Sequence, residues 1–306
     1  MLNAIAWLNG RMLPFAEAAV PVSDLGVVAG ASITDMARTM RHHPFRPEWH
    51  VDRFLASLME LQFPMHWNRQ QLLEAVTAVV SKNVVGLPAG SDLGIVMFST
   101  AGVNATYLGG QSTQTTTCVH TFPLPFRLWR SGIMNGVRLT IPSIRQIPDD
   151  CFDVRHKVRN RLHWWLADQE AAMTGPGSRA LLLDHDDHVT ETSTSCFYAV
   201  IDDCIVTSDR SVLNSLSRRL VEELAARCEI PFVRRALKQA ELANASEAFL
   251  SSTPSGLMAV SHINERSLEP PCTASQCGGP ILQRLLEEYH RVTGVRPDLQ
   301  ILHGSM

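Results

Sequence analysis

Strand-like and helix-like segments occur on both sides of one proline-containing break, and this order limits the folds open to the chain. Before the break, AIAWLNGRMLPF predicts a hairpin turning at residues 9–10, and apolar positions within 51–61 recur at helical spacing. The break itself, PLPFRLWRSG at 123–132, predicts a linker, because proline interrupts both helices and strand ladders. We therefore expect an α+β fold, with a small N-terminal domain at 1–122 and a larger C-terminal domain at 133–306.

Beyond the break, three patterns define the predicted elements. Residues 160–173 predict a helix that stops at GPGS, residues 179–208 predict three strands joined by Asp-rich turns, and residues 247–260 predict one strand. The polar run DHDDH at 184–188 lies between two of these strands. We interpret it as a turn and predict no metal site.

Composition excludes several classes of function. The net charge of −3 and the pI near 6.5 provide no basic surplus, so a partner nucleic acid is not expected. No apolar run is long enough to span a membrane, and the start lacks a secretory pattern, so the expected location is the cytoplasm. The seven cysteines are scattered without a CxxC pair, and we expect reduced thiols.

One lysine is conspicuous in a chain that otherwise uses arginine for positive charge. The sequence has 27 Lys and Arg residues, of which only Lys82, Lys157 and Lys238 are lysines. Lys82 ends a predicted helix and Lys238 lies in a polar one, where either cation would serve. Lys157 lies in DVRHKVRNRLHWW, among arginines and bulky apolar residues that disfavour the ammonium form. A lysine that can lose its proton can attack a carbonyl, whereas arginine cannot.

The segment HKVRNRL resembles the K-x-x-N-x-L motif of the fold type IV pyridoxal-phosphate enzymes, which include branched-chain and D-amino-acid aminotransferases and aminodeoxychorismate lyases. The resemblance places Lys157 where that family has its Schiff-base lysine. WHVDRFLASL resembles the family's H-x-x-R-L helix, which places Arg53 where an arginine binds the cofactor phosphate. Five such motifs follow one another in the family's order between about Trp7 and Leu268.

Three of these motifs imply further cofactor contacts in the second half. Glu191, in VTETSTSCF, stands where a family carboxylate meets the pyridine nitrogen. Leu216 and Ser217, in LNSLSR, stand at the start of a helix whose backbone N–H groups bind the phosphate. Thr253, in FLSSTPSG, would add a hydroxyl to that phosphate.

Two departures from the family pattern concern the substrate pocket. AGASITD, at 29–35, replaces a segment that carries aromatic residues, and LGIVMFSTAG, at 93–102, has no arginine where many aminotransferases bind a substrate carboxylate. Arg38 and Arg145 are our candidates for substrate binding, because a carboxylate in a dry pocket requires a cation.

The resemblance implies a two-domain, D-amino-acid-aminotransferase-like fold with pyridoxal 5′-phosphate at the domain interface, in a homodimer. It also implies transfer of an amino group between an amino acid, branched-chain-like or other, and a 2-oxo acid through an internal aldimine at Lys157. Two alternatives stay open at this point. A lyase would use the same lysine and eliminate a group, and a binding protein would hold the cofactor without turnover.

Overall fold

The computed structural model describes residues 4–110, 115–268, 277–296 and 300–301. The chain forms two compact units. The first contains Met1–Leu124 together with His156–Asn160, and the second contains Pro125–Arg155 and Arg161–Met306. The segment that carries Lys157 therefore belongs to the first unit, although residue 157 lies within the range predicted for the C-terminal domain, which was expected to carry this lysine.

The first unit is an antiparallel sheet with two helices packed on one of its faces. The strand order is β2-β1-β6-β5-β3-β4, and every neighbouring pair is antiparallel. The odd-numbered residues of β3 and β5, such as Ile33 and Ile95, form a buried core with the apolar faces of α2 and α3. The elements are β1 Ile5–Leu8, β2 Arg11–Pro14, α1 Leu25–Val28, β3 Ser32–Met40, β4 His43–Pro44, α2 Pro47–Glu60, α3 Arg69–Asn83, β5 Leu93–Thr100 and β6 Thr117–Pro123.

Local chemistry explains where these elements begin and turn. Asn9 and Gly10 both have positive φ, at 46° and 84°, which a two-residue hairpin of the predicted kind requires. Helix α3 starts with a capping box, in which Asn68 accepts from the Gln71 N–H while the Gln71 side chain accepts from the Asn68 N–H. The predicted hairpin is thereby confirmed, and so is the predicted helix whose last turn contains Lys82.

The second unit is built around a barrel. Strands β10, β13, β14, β7, β8 and β9 follow one another, and the β9–β10 pairing closes the ring, while β11 and β12 extend the sheet from β10 and β15 pairs with β14. Apolar side chains fill the interior, among them Leu181, Phe197 and Leu250. The elements are α4 Phe126–Asn135, β7 Val137–Thr140, α5 Leu162–Met173, β8 Arg179–Leu183, β9 Val189–Thr192, β10 Cys196–Ile201, β11 Cys204–Thr207, α6 Leu216–Arg227, β12 Phe232–Arg234, β13 Glu247–Ser252, β14 Gly256–Ile263, β15 Arg266–Ser267 and α7 Pro280–Thr293.

Three segments differ from the sequence predictions. Residues 179–208 form four strands instead of three, because the Thr192 N–H and hydroxyl both donate to the Ser195 carbonyl oxygen and fold the chain back. Residues 247–263 form two strands around a short turn, in which Ser255 contacts Ser252. The stretch predicted as a linker includes the first turns of α4.

The described cysteines are mostly free thiols. Cys118, Cys151, Cys196, Cys204 and Cys228 carry no disulfide, but Cys277 is disulfide-bonded, so the prediction of reduced thiols throughout is wrong at that position. Cys272 lies outside the described residues. Within the described residues, no helix combines the length and apolarity needed to cross a bilayer.

Candidate functional site

Lys157 lies in an extended segment that pairs with β3. The Thr34 N–H donates to the Lys157 carbonyl oxygen at 2.8 Å, and the Arg159 N–H donates to the Ser32 carbonyl oxygen at 3.1 Å. Because side chains alternate along an extended segment, Lys157 and Arg159 lie on the same side. The lysine is half-buried and its backbone is fixed by the sheet.

The residue before the lysine is bound to helix α2. His156 Nδ1 lies 3.2 Å from the Ser57 hydroxyl, and its Nε2 lies 3.5 Å from Glu60 Oε2. Arg53 precedes Ser57 by four residues, so both side chains project from one face of α2. The structure therefore brings Arg53 and the lysine segment to the same face of one helix, although the two are far apart in sequence.

A buried carboxylate positions Arg53. Asp35 is fully buried in β3 and lies 2.7 Å from both Arg53 Nε and His50 Nδ1. Burial acts to raise the pKa of Asp35, but the attraction of Arg53 and His50 and their hydrogen bonds outweigh it and hold that pKa well below its usual range. Sequence reasoning missed Asp35 and His50 as partners of Arg53, because no local pattern links a strand residue to a helix fifteen residues further on.

In the second unit, Glu191 lies on β9 beside the loop that leads into α6. Its Oε1 accepts the Leu213 N–H at 2.9 Å, and its backbone pairs with Cys196 of β10. This bond orients the carboxylate toward the start of α6 and brings together two segments that the sequence analysis named separately.

The first turn of α6 offers backbone donors. Ser215 caps the helix, and its hydroxyl accepts from the Arg218 N–H. Among the described residues, nothing accepts a hydrogen bond from the N–H of Leu216 or of Ser217. A helix start with two such donors favours an anion.

Ser217 also connects this turn to the segment that carries Thr253. Its hydroxyl donates to the Ser251 carbonyl oxygen at 3.2 Å, and the Ser251 hydroxyl donates to Ser217 Oγ at 3.0 Å. Thr253 follows two residues later, in the turn between β13 and β14. Sequence reasoning missed Ser251, whose role depends only on this tertiary contact.

Two buried groups that can lose a proton, the Cys196 thiol and the Tyr198 hydroxyl, lie on the neighbouring strand β10. Burial raises the pKa of Cys196, and the Glu191 charge adds to the effect; burial also raises the pKa of Tyr198 well above its ordinary value. The Tyr198 hydroxyl shares a hydrogen bond of 2.8 Å with the Ser251 hydroxyl. Both groups therefore stay protonated at neutral pH, and neither serves as a nucleophile or base.

The two candidate substrate arginines have partners elsewhere. Arg38 is completely buried, donates from Nε to the Thr39 carbonyl oxygen and pairs with Asp92 at 3.5 Å. Arg145 pairs with Asp187 at 2.8 Å and donates to the Asp184 carbonyl oxygen, which attaches it to the β8–β9 turn. These contacts favour structural roles for both arginines.

The DHDDH run forms the β8–β9 turn, as the sequence predicts. Ligand atoms of Asp184, Asp186 and His188 lie within 4.8 Å of one another. Asp184 Oδ1, however, accepts the N–H groups of both Asp186 and His188, and this bonding closes the turn. The carboxylate has a structural task without an ion.

Each unit carries residues of the kinds that bind a phosphorylated pyridine cofactor. The first unit supplies a lysine on an ordered segment and an arginine held by a buried carboxylate. The second supplies helix N–H donors without acceptors among the described residues, next to a carboxylate oriented by its own hydrogen bond. An anion-binding turn and a carboxylate acceptor are the two groups that a phosphate and a protonated pyridine nitrogen require.

Comparison with known proteins gives consistent matches. The family model for amino-transferase class IV matches residues 32–263. A D-alanine aminotransferase from Staphylococcus haemolyticus is 24% identical over 288 residues, which cover 93% of this chain and 96% of the relative.

Two solved structures share the fold. The branched-chain aminotransferase from Thermoproteus uzoniensis, solved with norvaline, matches with a TM-score of 0.82 at 23% identity, over 95% of both chains. The branched-chain amino acid aminotransferase from Thermobaculum terrenum, solved in its PLP form, matches with a TM-score of 0.82 at 23% identity, over 96% of this chain and 95% of that one.

Proposed function

The chain belongs to the class IV amino-transferase family and is a pyridoxal-phosphate-dependent aminotransferase, and we propose that Lys157 is its catalytic residue. The observation that carries this proposal is the placement of Lys157 on an extended segment fixed to β3 and, through His156, to the helix that bears Arg53. Neither Lys82 nor Lys238 has such surroundings. Lys82 lies in the exposed last turn of α3, and Lys238 is exposed beside a 3-10 turn.

The cofactor contacts follow from the two sets of residues. We assign the phosphate to Arg53, to the N–H groups of Leu216 and Ser217, and to the Thr253 hydroxyl, and we assign the pyridine nitrogen to Glu191. When bound, pyridoxal phosphate withdraws electrons from the substrate carbon that loses its proton.

Lys157 has two tasks in this proposal. When the cofactor is bound, Lys157 Nζ would hold its carbonyl carbon until the incoming amine takes that place. The released amine of Lys157 would then act as a general base and move the proton from the substrate carbon to the cofactor. Arginine cannot do either, because its guanidinium does not lose a proton in a protein. The hydrogen bonds of residues 157 and 159 to β3 keep the lysine backbone in place during both tasks.

The substrates are an amino acid as donor and a 2-oxo acid as acceptor. Support comes from relatives that are named as D-alanine and branched-chain aminotransferases. The nature of the side chain and the preferred stereochemistry depend on pocket residues that have departed from the family pattern.

We further propose a homodimer. Helix α5 buries Trp164, Ala167 and Ala171 against β8, while Leu162, Trp165, Leu166 and Met173 on the rest of its surface are exposed. Exposed apolar side chains that recur at helical spacing are typical of an interface. A cytoplasmic location stays a prediction.

The direct test compares Lys157→Ala with Lys82→Ala. Each protein is loaded with pyridoxal phosphate and mixed with pooled L- and D-amino acids without oxo acid, and pyridoxamine phosphate is measured. We expect wild type and Lys82→Ala to form it and Lys157→Ala to form none. Turnover by Lys157→Ala at the wild-type rate would overturn the proposal.

A further inference from the structure

The guanidinium of Arg159 has no acidic partner among the described residues. Its Nη2 donates to the Thr34 hydroxyl at 3.2 Å, and its Cζ lies 5.9 Å from the centre of the Phe98 ring. No carboxylate in the described part of the chain pairs with it. By contrast, Arg38, Arg53 and Arg69 of the same unit each pair with an aspartate.

Arg159 lies on the face of the first sheet that is turned away from α2 and α3. We call this the lysine face and define it by Thr34, Phe98, His120, Lys157 and Arg159. Thr34 of β3 pairs with Phe98 of β5. Phe98 in turn pairs with Cys118 of β6, and His120 lies two residues further along that strand. The Phe98 and His120 rings are 6.4 Å apart. A cation, a hydroxyl and two rings therefore line one surface.

His120 adds a buried polar atom to the lysine face. Its Nδ1 is buried and has no hydrogen-bond partner in the described part of the chain. Burial, together with the charge of Arg159, lowers the pKa of His120, so the ring is neutral at neutral pH and can carry its hydrogen on Nδ1. The Arg159 side chain is exposed overall, yet desolvation by the surrounding protein lowers its pKa as well. A neutral His120 that carries its hydrogen on Nδ1 can donate to an anion on this face.

We propose that Arg159 binds the α-carboxylate of the amino-acid and oxo-acid substrates, with Thr34 orienting its guanidinium. This inference rests on the proposed function, since it takes Lys157 as the catalytic residue. It adds to the proposed function the residue that recognises the carboxylate common to the amino acid and the 2-oxo acid. The substrate carboxylate then has a cation to bind, although residues 93–102 contain no arginine and Arg38 is buried against Asp92.

The spacing of Lys157 and Arg159 supports this role. Lys157 and Arg159 are two residues apart on an extended segment, so their Cα atoms are separated by roughly 6.6 Å and their side chains leave from the same side. In an α-amino acid the carboxylate carbon is bonded directly to the carbon that reacts. If Lys157 contacts the reacting carbon and Arg159 contacts the carboxylate bonded to it, the two side chains must start from positions this close together.

The first test measures binding of a carboxylic acid that cannot react. Calorimetric titration of the pyridoxal-phosphate-loaded protein with 4-methylvaleric acid compares wild type, Arg159→Lys, Arg159→Gln and the control Arg69→Gln, which removes an exposed charge from the helix layer. Loss of a charge-assisted hydrogen bond weakens binding by about 10- to 100-fold. We expect that loss in Arg159→Gln, partial recovery in Arg159→Lys and none in Arg69→Gln. Equal binding by wild type and Arg159→Gln, or no binding by wild type, would refute the assignment.

The second test uses turnover with an achiral pair of acceptors. Protein loaded with pyridoxamine phosphate receives either 2-oxopentanoic acid or butanal, which is the same molecule without the carboxylate. Arg159→Gln should raise the KM for the oxo acid by about 10- to 100-fold and leave kcat/KM for butanal unchanged. An unchanged KM for the oxo acid would contradict the inference alone. Failure of the wild type to convert any oxo acid would contradict the proposed function instead.

Discussion

Replacing Asp35 with asparagine removes the charge that holds Arg53 while keeping the shape of the side chain. Asp35 is fully buried and lies 2.7 Å from both Arg53 Nε and His50 Nδ1, so the variant leaves a cation in the interior without its anion. Breaking a buried ion pair in this way costs about 3 to 5 kcal/mol of the free energy of unfolding. Because Arg53 also loses its orientation, the affinity for pyridoxal phosphate should fall as well.

The assay is urea unfolding at pH 7, with Asp52→Asn as the matched control. Asp52 pairs with Arg69 at 2.6 Å in the same unit, but both side chains are about half exposed. An exposed pair contributes only about 0.2 to 1 kcal/mol. Asp35→Asn should therefore lower the urea midpoint far more than Asp52→Asn. Equal midpoints in the two variants would refute the reasoning.

The pH dependence of this difference has a defined sign. The pKa of Asp35 is lower in the folded protein than in the unfolded chain, where an aspartate titrates near 3.8. The stabilisation is therefore fully present above that value and is lost as the pH falls through the folded pKa. The difference in unfolding free energy between wild type and Asp35→Asn should be largest near neutral pH and shrink below about pH 4.

Two further substitutions test the cofactor turn and the sheet packing. Leu216→Pro removes one N–H from the first helical position of α6, where proline is tolerated. In a binding titration, the affinity for pyridoxal phosphate should fall by about tenfold, with little change in stability. The control Leu216→Ala keeps the N–H, so a similar loss of affinity in that variant would contradict the role of the N–H group. Gly94→Ala places a Cβ only 2.2 Å from the Phe122 ring and should lower the free energy of unfolding, measured by thermal unfolding, by about 1 to 3 kcal/mol. The control Gly175→Ala has no neighbour within 4 Å of the added Cβ and should lower it far less. Equal effects in the two variants would show that the Phe122 ring moves aside freely.

Local patterns in the sequence predict much of this fold. The Asn9–Gly10 turn, the Asn68 helix start and the helix that follows Lys157 all depend on neighbours within a few residues, and each appears as expected, apart from a two-residue shift at the start of that helix. The Ser193–Ser195 turn was missed because its closing bonds come from the Thr192 N–H and hydroxyl, and no glycine or proline marks it.

Contacts between distant segments could not be predicted in the same way. The sequence names Arg53 and Lys157 by resemblance, but it gives no sign that His156 would bind the helix of Arg53, or that Asp35 would hold Arg53 in place. Arg38 illustrates the reverse case. Its charge suggested substrate binding, and only the tertiary structure reveals Asp92 beside it in the interior.

The most direct test of the account is to locate the covalent link between the cofactor and the protein. The purified chain is incubated with pyridoxal phosphate, treated with borohydride to make the link permanent, digested and analysed by mass spectrometry. Only three lysines exist in the sequence, so each serves as a control for the others. We expect the pyridoxyl group on Lys157 and on neither Lys82 nor Lys238. An unmodified Lys157 beside a modified Lys82 or Lys238 would contradict it.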